Sequence, residues 1–550
     1  MKRIGKNVLT AGIVALALAA PSGAFAQAAS GADASRVDEL LKYAREKYVQ
    51  GQAQPAPAQQ RSLEERAEAR PVVQLTVEQA VKMALENNIE LSIERLNPAL
   101  QDLSLAQTAG AYRPTLNSTL NASSNMPLPT SLLNGGVKVT NETANANVNI
   151  AQTLPWFGTN YTAAFNNSRT NTTSTFATLN PQFTTQLTAT VVQPLLRDFK
   201  IDTTRNQLLT GTITRQVTDI TLRTRITNLT ASTKNAYWDL LAAIRAIEAA
   251  KQSLALAEKL IEDNRVRVEV GTLAPMDVVS AQAEAATRRQ TLTQAEATRR
   301  TAELLFKRLI VGETNDPVWR ATIEPIDVVQ VRPVTIDLEG AVTSALNQRT
   351  DLLTAKKNLE GSDINIRYLR NQMLPGLNAT ATLGTRGLGG NTFIRQGGEV
   401  VGTIPGGWPE AFAMARQFEY PNWTVGAVFS YPIGKSSQEA AYARAKLQYQ
   451  QSQSQIRALE LTVATEVTNA ALQVESTLRS MEAARAAREL QERRLENEQS
   501  KFEVGMSTNF FVVQAQRDLL DAQISELRAT LNYQKALVTF ERVQQTSGGV

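Results

Sequence analysis

The chain carries one structural unit twice. Residues 75–91 (LTVEQAVKMALENNIEL) align with residues 336–352 (IDLEGAVTSALNQRTDL) at an offset of 261, and the same offset pairs Pro114-Thr-Leu-Asn with Pro375-Gly-Leu-Asn. Further on, Val270-Gly271 and residues 278–282 match Val504-Gly505 and residues 512–516, now at an offset of 234. One such match could arise by chance; three in the same order mark a duplication. The repeats divide the chain into residues 71–335 and 336–550, with 27 surplus residues in the first copy between Pro114 and Gly271. Such a duplication argues against a row of independent domains, although the length alone would suggest several.

Within each copy the hydrophobic period changes from helical to two and back. Val77, Ala80, Val81, Ala84 and Leu85 sit at helical spacing, so the unit opens with a short amphipathic helix. Alternation then takes over. Leu116, Ser118, Leu120 and Ala122 interleave with Asn117, Thr119 and Asn121, and residues 377–383 repeat the pattern. Phe183 to Val191 and Trp423 to Tyr431 alternate in the same way. These are strands with one apolar face and one Thr/Asn/Gln face, near 115–123, 183–193, 377–384 and 423–432. A further hairpin, 145–154 and 159–168, is expected around Pro155-Trp156-Phe157-Gly158, where the first copy has its surplus. Two readings are open for such strands: an ordinary antiparallel sheet with one wet face, or a transmembrane barrel. The aromatic residues near strand ends (Trp423, Tyr431, Phe183) favour the second.

Long proline-free tracts follow, between Pro194 and Pro275 and from Pro432 to the end of the chain. A helix of about 65 residues is roughly 100 Å long at 1.5 Å per residue, far beyond a globular domain. Leu240, Ile244, Ile247, Leu254, Ile261 and Val268 trace a coiled-coil seam, as do Leu520, Ile524, Leu527, Leu531 and Val538. Each tract is expected to reverse at its glycine, Gly271 or Gly505, giving two helical hairpins whose tips lie far from the strands.

The N-terminus reads as a secretory leader, residues 1–26. Lys2, Arg3 and Lys6 precede an apolar run from Val8 to Ala20, and Ala24-Phe25-Ala26 supplies the cleavage pattern. No later stretch approaches the roughly 18 apolar residues of a membrane helix, so embedding in lipid would require a closed β-barrel. Residues 27–70, with the Pro/Ala/Gln-rich GQAQPAPAQQ, read as a flexible periplasmic extension. The net charge of +5 includes the leader's three cations, so the remainder is close to neutral and nucleic acid is not an expected partner. Cysteine and histidine are both absent, which removes disulfides, thiolate or imidazole catalysis and lipid attachment at an N-terminal cysteine. No metal site, cofactor or enzymatic activity is expected. The glycine-rich segment 384–407 lacks the third glycine and the strand-to-helix context of a dinucleotide loop and is expected to be an extracellular loop. Asn-x-Ser/Thr triplets such as Asn117-Ser-Thr read as polar barrel lining.

The ordered set, repeated, resembles the TolC-like outer membrane efflux protein family: short helix, Arg113-Pro-Thr-Leu or Leu374-Pro-Gly-Leu strand start, Gln193-Pro-Leu-Leu-Arg197, long helix, and a Val270-Gly-Thr to Asp277-Val-Val-Ser-Ala-Gln tip. The resemblance covers about residues 72–545 and implies an α+β membrane protein built from two repeats per chain. It further implies a homotrimer whose strands close one outer-membrane β-barrel, twelve-stranded with four strands from each chain. The long helices would continue the barrel as a periplasmic tunnel. The implied function is the passive exit duct of a tripartite efflux or type I secretion system. The implied partners are a periplasmic adaptor, an inner-membrane pump and outer-membrane lipid. The surplus hairpin is then either a plug or rim elaboration, or the source of a wider barrel with six strands per chain.

The resemblance also places a constriction at the hairpin tips. Two carboxylates three residues apart in better-known members correspond here to Phe511 and Gln514, the tip-locking arginine to Ser507 and its aromatic partner to Phe502, while Asp277 matches the family's tip aspartate. Without the acidic pair, an apolar ring of Phe511 with Phe510 could close the duct by dewetting; equally, both could pack between helices as core. Asp277 could serve only as a first-turn acid after Pro275. The adaptor would dock on Val270, Gly271, Thr272 and Leu273 with Val504, Gly505 and Met506. Two other readings stand beside the duct: a non-conducting coiled-coil envelope tether, and a carboxylate-based hydrolase for which no acidic cluster or nucleophile motif is visible.

Overall fold

The computed structural model describes Glu39, Lys42 and residues 71–128, 138–271, 274–327, 336–434 and 436–545. The chain separates into two units, Met1–Arg61 and Ser62–Val550. In the first only Glu39 and Lys42, both helical, are described; the leader and nearly all of the expected extension lie outside the described residues.

The second unit is the duplicated one, and the long helices of its two halves match in length. Strand β1 (Val72–Leu75) leads into α1 (Val77–Asn87), α2 (Ile89–Glu94) and α3 (Asn97–Ala109). Thr76 starts α1 with a reciprocal capping box to Gln79. Strands β2 (Thr115–Asn125), β3 (Asn141–Thr153), β4 (Asn160–Thr172) and β5 (Leu179–Pro194) follow, then α4 (Thr203–Glu269) and α5 (Pro275–Ile310). After α6 (Pro317–Arg320) and β6 (Thr322–Pro325), which pairs in parallel with β1, the second copy begins with α7 (Leu338–Gln348) and α8 (Thr350–Gln372). It continues with β7 (Gly376–Gln396), β8 (Glu399–Ile404), α9 (Trp408–Arg416), β9 (Pro421–Ser430), α10 (Ser437–Glu503) and α11 (Asn509–Gln544). Helices α4 and α10 are each 67 residues long, and α5 and α11 each 36. The long helices are thus about 100 Å each. Asp202 and Ser436 cap their N-termini with side-chain oxygens. Equivalent positions are buried in both copies: Ala80 and Ala84 in the first, Ala341 and Ala345 in the second.

The strands form one sheet in the order β2-β3-β4-β5-β7, with β9 and the short β8 both pairing to β7. All neighbours are antiparallel. The surplus hairpin of the first copy is therefore neither plug nor rim: β3 and β4 stand inside the sheet between β2 and β5, giving six long strands in place of the four implied by resemblance. Pro155 to Gly158 make the β3–β4 turn, with Phe157 and Gly158 at positive φ and the Phe157 ring stacked on Phe199.

Register sorts every strand into the two faces that alternation predicts. Ile150, Ala163, Ala189, Leu383 and Trp423 lie in one cross-strand row, and Asn149, Ala164, Thr188, Gly384 and Asn422 in the next. In β3 the apolar-face residues are the more exposed (Ala144, Ala146, Val148) and the asparagines between them are half-buried. Crowding of this kind marks the concave side of a curved sheet. The concave face is thus lined mainly by Asn, Thr, Gln and Ser, with Arg386 a charged side chain on it in β7; the convex face is largely apolar. Thr190 and Thr382 hydrogen-bond across the concave face at 3.1 Å.

The glycine-rich segment departs from expectation. Its first part is strand: β7 runs to Gln396 and turns back as β8. Gly387 and Gly389 are there because α9 lies flat on them. A Cβ on Gly387 would sit 1.8 Å from the Ala411 carbonyl oxygen, and one on Gly389 2.3 Å from that of Gly407. The seam of α4 also departs. From Ala250 onward the buried line runs through Ser253, Ala257, Leu260 and Asn264, not through Leu254, Ile261 and Val268. Small residues let the helices approach closely enough to leave the larger ones at the margins.

Candidate functional site

The two hairpin tips are built alike. Helix α4 ends at Glu269 and α10 at Glu503; Gly271 (φ 79°) and Gly505 (φ 80°) then take the left-handed conformation that stops each helix. At the second tip the Gly505 amide donates to the Phe502 carbonyl at 3.2 Å and the Met506 amide to that of Lys501 at 2.8 Å, closing the helix end. The chain leaves from Pro275 in the first half and Asn509 in the second. Glycine is needed for this backbone, and nothing crowds a Cβ at either site, so the turn itself accounts for both glycines.

Around these turns the surface is apolar and exposed. Val270 and Val504 are 67% and 70% accessible, and Met506 reaches 78%. Met276 and Val279 continue the patch onto α5. Thr272 and Leu273 lie outside the described residues. Phe510 and Phe511 open α11 as an edge-to-face pair with ring centroids 5.6 Å apart, 68% and 53% exposed. They do not pack as core within the chain. Gln514, one turn on, donates to Asp518 at 2.8 Å, and Asp518 also receives Arg494 at 2.9 Å; the amide is held by its own hairpin. Asp277 stands in the first turn of α5, and its backbone carbonyl receives the Asn509 amide at 3.4 Å.

The hairpins are locked to one another through Phe502, the position given to an aromatic partner by the resemblance, and through Arg267, which the motifs do not single out. Phe502 is buried, and the Arg267 guanidinium lies 4.1 Å over its ring while donating to its carbonyl at 3.0 Å. Leu260, Phe502 and Val512 form a small core there, joining α4, α10 and α11. Ser507 donates to Glu498 at 2.9 Å, and Lys501 pairs with the same carboxylate at 2.8 Å. Both contacts, Lys501 foremost, hold the Glu498 carboxyl below the ordinary glutamate range. Higher on the helices, Glu284 is 5% exposed and pairs with Arg288 at 2.7 Å along α5. Arg517 of α11 grips the same carboxylate, its Nε 3.1 Å from both oxygens and its Nη2 closer still. Of this cluster only the Glu284–Arg288 spacing of four is visible along the chain; the Arg517 contact joins residues 233 apart.

No helix among the described residues is long and apolar enough to cross a membrane, and no group of His, Cys, Asp or Glu there could hold a metal ion. The arrangement offers a polar concave strand surface at one end and paired apolar tips at the other, about 100 Å away along the helices.

Comparison with known proteins places this architecture. The outer membrane efflux protein family model matches residues 131–310 and 341–543, more than two-thirds of the chain. No curated protein matches the sequence. Among solved structures, a membrane protein from Pseudomonas aeruginosa superposes with a TM-score of 0.61 at 16% identity, covering 89% of this chain and 99% of that one. The CmeC outer membrane channel of Campylobacter jejuni gives 0.62 at 14% identity, covering 89% and 93%. The outer membrane protein VceC of Vibrio cholerae gives 0.60 at 13%, covering 85% and 95%.

Proposed function

This chain belongs to the outer membrane efflux protein family, and from that premise we propose that it is the exit duct of a tripartite efflux or type I secretion system. It is an outer-membrane protein with a long helical part in the periplasm. Three copies close a single barrel, with β9 of one chain pairing β2 of the next. Six strands from each copy make that barrel eighteen-stranded. The α4–α5 and α10–α11 hairpins continue it as a tunnel. An adaptor docks on Val270, Gly271, Thr272, Leu273, Val504, Gly505 and Met506, and an inner-membrane pump loads the duct from below. The protein moves its cargo passively and performs no catalysis.

The observation that carries this reading is the sheet itself. It is curved, apolar outside and largely uncharged and polar inside, and its two outermost strands, β2 and β9, are exposed and pair with no strand on their outer edges among the described residues. A sheet edge cannot stay open in lipid, because its N–H and C=O groups would have no partner. A tether would need no such surface. The exposed Phe510–Phe511 pair supports an apolar gate at the tips, with Gln514 and Asp277 flanking it. Purified protein in a planar bilayer is expected to show stepwise currents with a low-conducting closed state. Phe511→Ser is expected to raise the closed-state current. An unchanged closed state removes Phe511 from the gate, and absence of any steps rejects the duct.

A further inference from the structure

Helix α9 has no place in a simple duct. It joins β8 to β9, yet it does not cover the mouth. It lies on the convex face, against β4, β5 and β7. Trp408 donates its Nε1–H to Asn167 at 2.9 Å, and Phe412 meets Phe165 edge to face with centroids 6.0 Å apart. Ala411 and Ala415 are fully buried against the sheet, over the space left by Gly387 and Gly389. Thr185, also fully buried beneath the helix, donates to Asn167 at 2.9 Å. This is a built seat for a helix on the side of the sheet that otherwise presents bare apolar residues.

Its height on the sheet is informative. Gly387 is eleven residues up β7 from Gly376. At about 3.3 Å per residue and a tilt of roughly 40°, that is about 28 Å above the periplasmic end of the strand, against an apolar band about 25 Å tall in such barrels. The seat therefore lies at the outer rim of the band. The convex face acquires charge at the same rows, with Arg169 beside Phe183 and Glu142 one row further out.

The exposed aromatic residues lie past the end of α9, where Phe418 is 48% and Tyr420 65% exposed, whereas Trp408, 37% exposed, is turned to the sheet through Asn167 and stacked on Phe412. Phe418 adopts φ 56°, a left-handed conformation that glycine usually supplies at a helix end and that a bulky L-residue rarely takes. No ring contact to Phe418 is found among the described residues. A half-exposed aromatic in a strained backbone conformation is the pattern of a residue held for contact with something outside the chain.

We propose that α9 is an interfacial anchor: Trp408 pins it to the sheet at the headgroup–acyl boundary of the outer leaflet, with Phe418 and Tyr420 inserted among the lipids. Amphipathic aromatic side chains partition to that boundary, where one end is apolar and the other wet. The occupant is lipid because α9 continues the apolar convex face at the rim of its band, and the inference rests on that face being wrapped in membrane. The chain contains no cysteine, so a single introduced one can be spin-labelled in the full-length protein. Labels at Phe418→Cys and Tyr420→Cys, in phosphatidylcholine vesicles, are compared with Val191→Cys on the convex face and Met506→Cys at the periplasmic tip. Expected are values between these two: more accessible to oxygen and less to a water-soluble nickel chelate than Met506→Cys, with the reverse ordering against Val191→Cys. Accessibility matching Met506→Cys overturns the anchor while leaving the lipid-facing sheet intact. A Val191→Cys label that itself reads as aqueous overturns the lipid-facing sheet, and the anchor with it.

Discussion

Glu284 shows how a single carboxylate can join two halves of this molecule. It belongs to α5, yet its strongest partner is Arg517 of α11, and the hydrogen bonds from that guanidinium hold its pKa below the usual glutamate value against burial that pushes it up. Folding therefore makes this group a stronger acid. A carboxyl of that kind stabilises the folded state fully above about pH 4.3, the ordinary glutamate value, and loses its contribution as pH falls through its own lower value. Glu284→Gln leaves the buried Arg288 without its counter-charge, at a cost of about 3 kcal/mol. Thermal unfolding followed by circular dichroism is expected to show the variant less stable at neutral pH, with the gap closing below about pH 4. A gap that is the same at every pH removes the carboxylate charge from this account.

At the scale of elements, α9 and the strand beneath it depend on one another. The strand can carry the helix only where side chains are missing, and Gly387 meets the helix backbone itself, which cannot move aside as a side-chain tip could. Gly387→Val is compatible with β7, since valine suits a strand, but not with a docked α9. The expected result is a helix lifted from its seat with the sheet intact: cleavage after Arg416 by trypsin becomes fast, while the strand ladder and oligomer survive. Retained protection of Arg416 sinks the claim that these glycines are there for the helix. The matching lengths of the paired long helices are a different kind of element property. Helices lying side by side in one tunnel must start and reverse at common heights, so any insertion in one would move its tip out of line with the others.

On the trimeric reading proposed above, a single chain supplies one third of the barrel. Strands β2 and β9 pair with no strand on their outer edges among the described residues, and they stand at opposite ends of a six-strand arc. Because the chain lacks cysteine, the closure is open to direct measurement. Ser118→Cys on β2 combined with Val425→Cys on β9, together with the neighbouring register Ala427→Cys, is expected to yield disulfide-linked species that stop at three chains. A ladder that ends at two, or that continues beyond three, rules out the trimeric ring. Eighteen strands also imply a wider barrel than twelve, since diameter grows roughly linearly with strand number. The extra width would come entirely from the β3–β4 hairpin, which the second copy lacks.

Much of this was already present in the order of the residues. Period-two alternation from Leu116 to Ala122, helical spacing from Val77 to Leu85, and glycines at 271 and 505 are local patterns, and local patterns encode which element forms, where it turns and which face is apolar. The duplication is legible for the same reason, because equivalent environments in the two copies select similar residues. What the tertiary structure decided are the questions that depend on partners far away in sequence. Nothing in the Pro155–Gly158 turn says whether its hairpin joins the sheet; pairing of β4 with β5 settles that. Gly387 and Gly389 look like loop residues until a helix is laid across them, and Leu254 looks like core until Ser253 and Ala257 prove small enough to bring the helices together there. Arg517 is one exposed-looking arginine among many until the fold carries it to a carboxylate buried on the other hairpin.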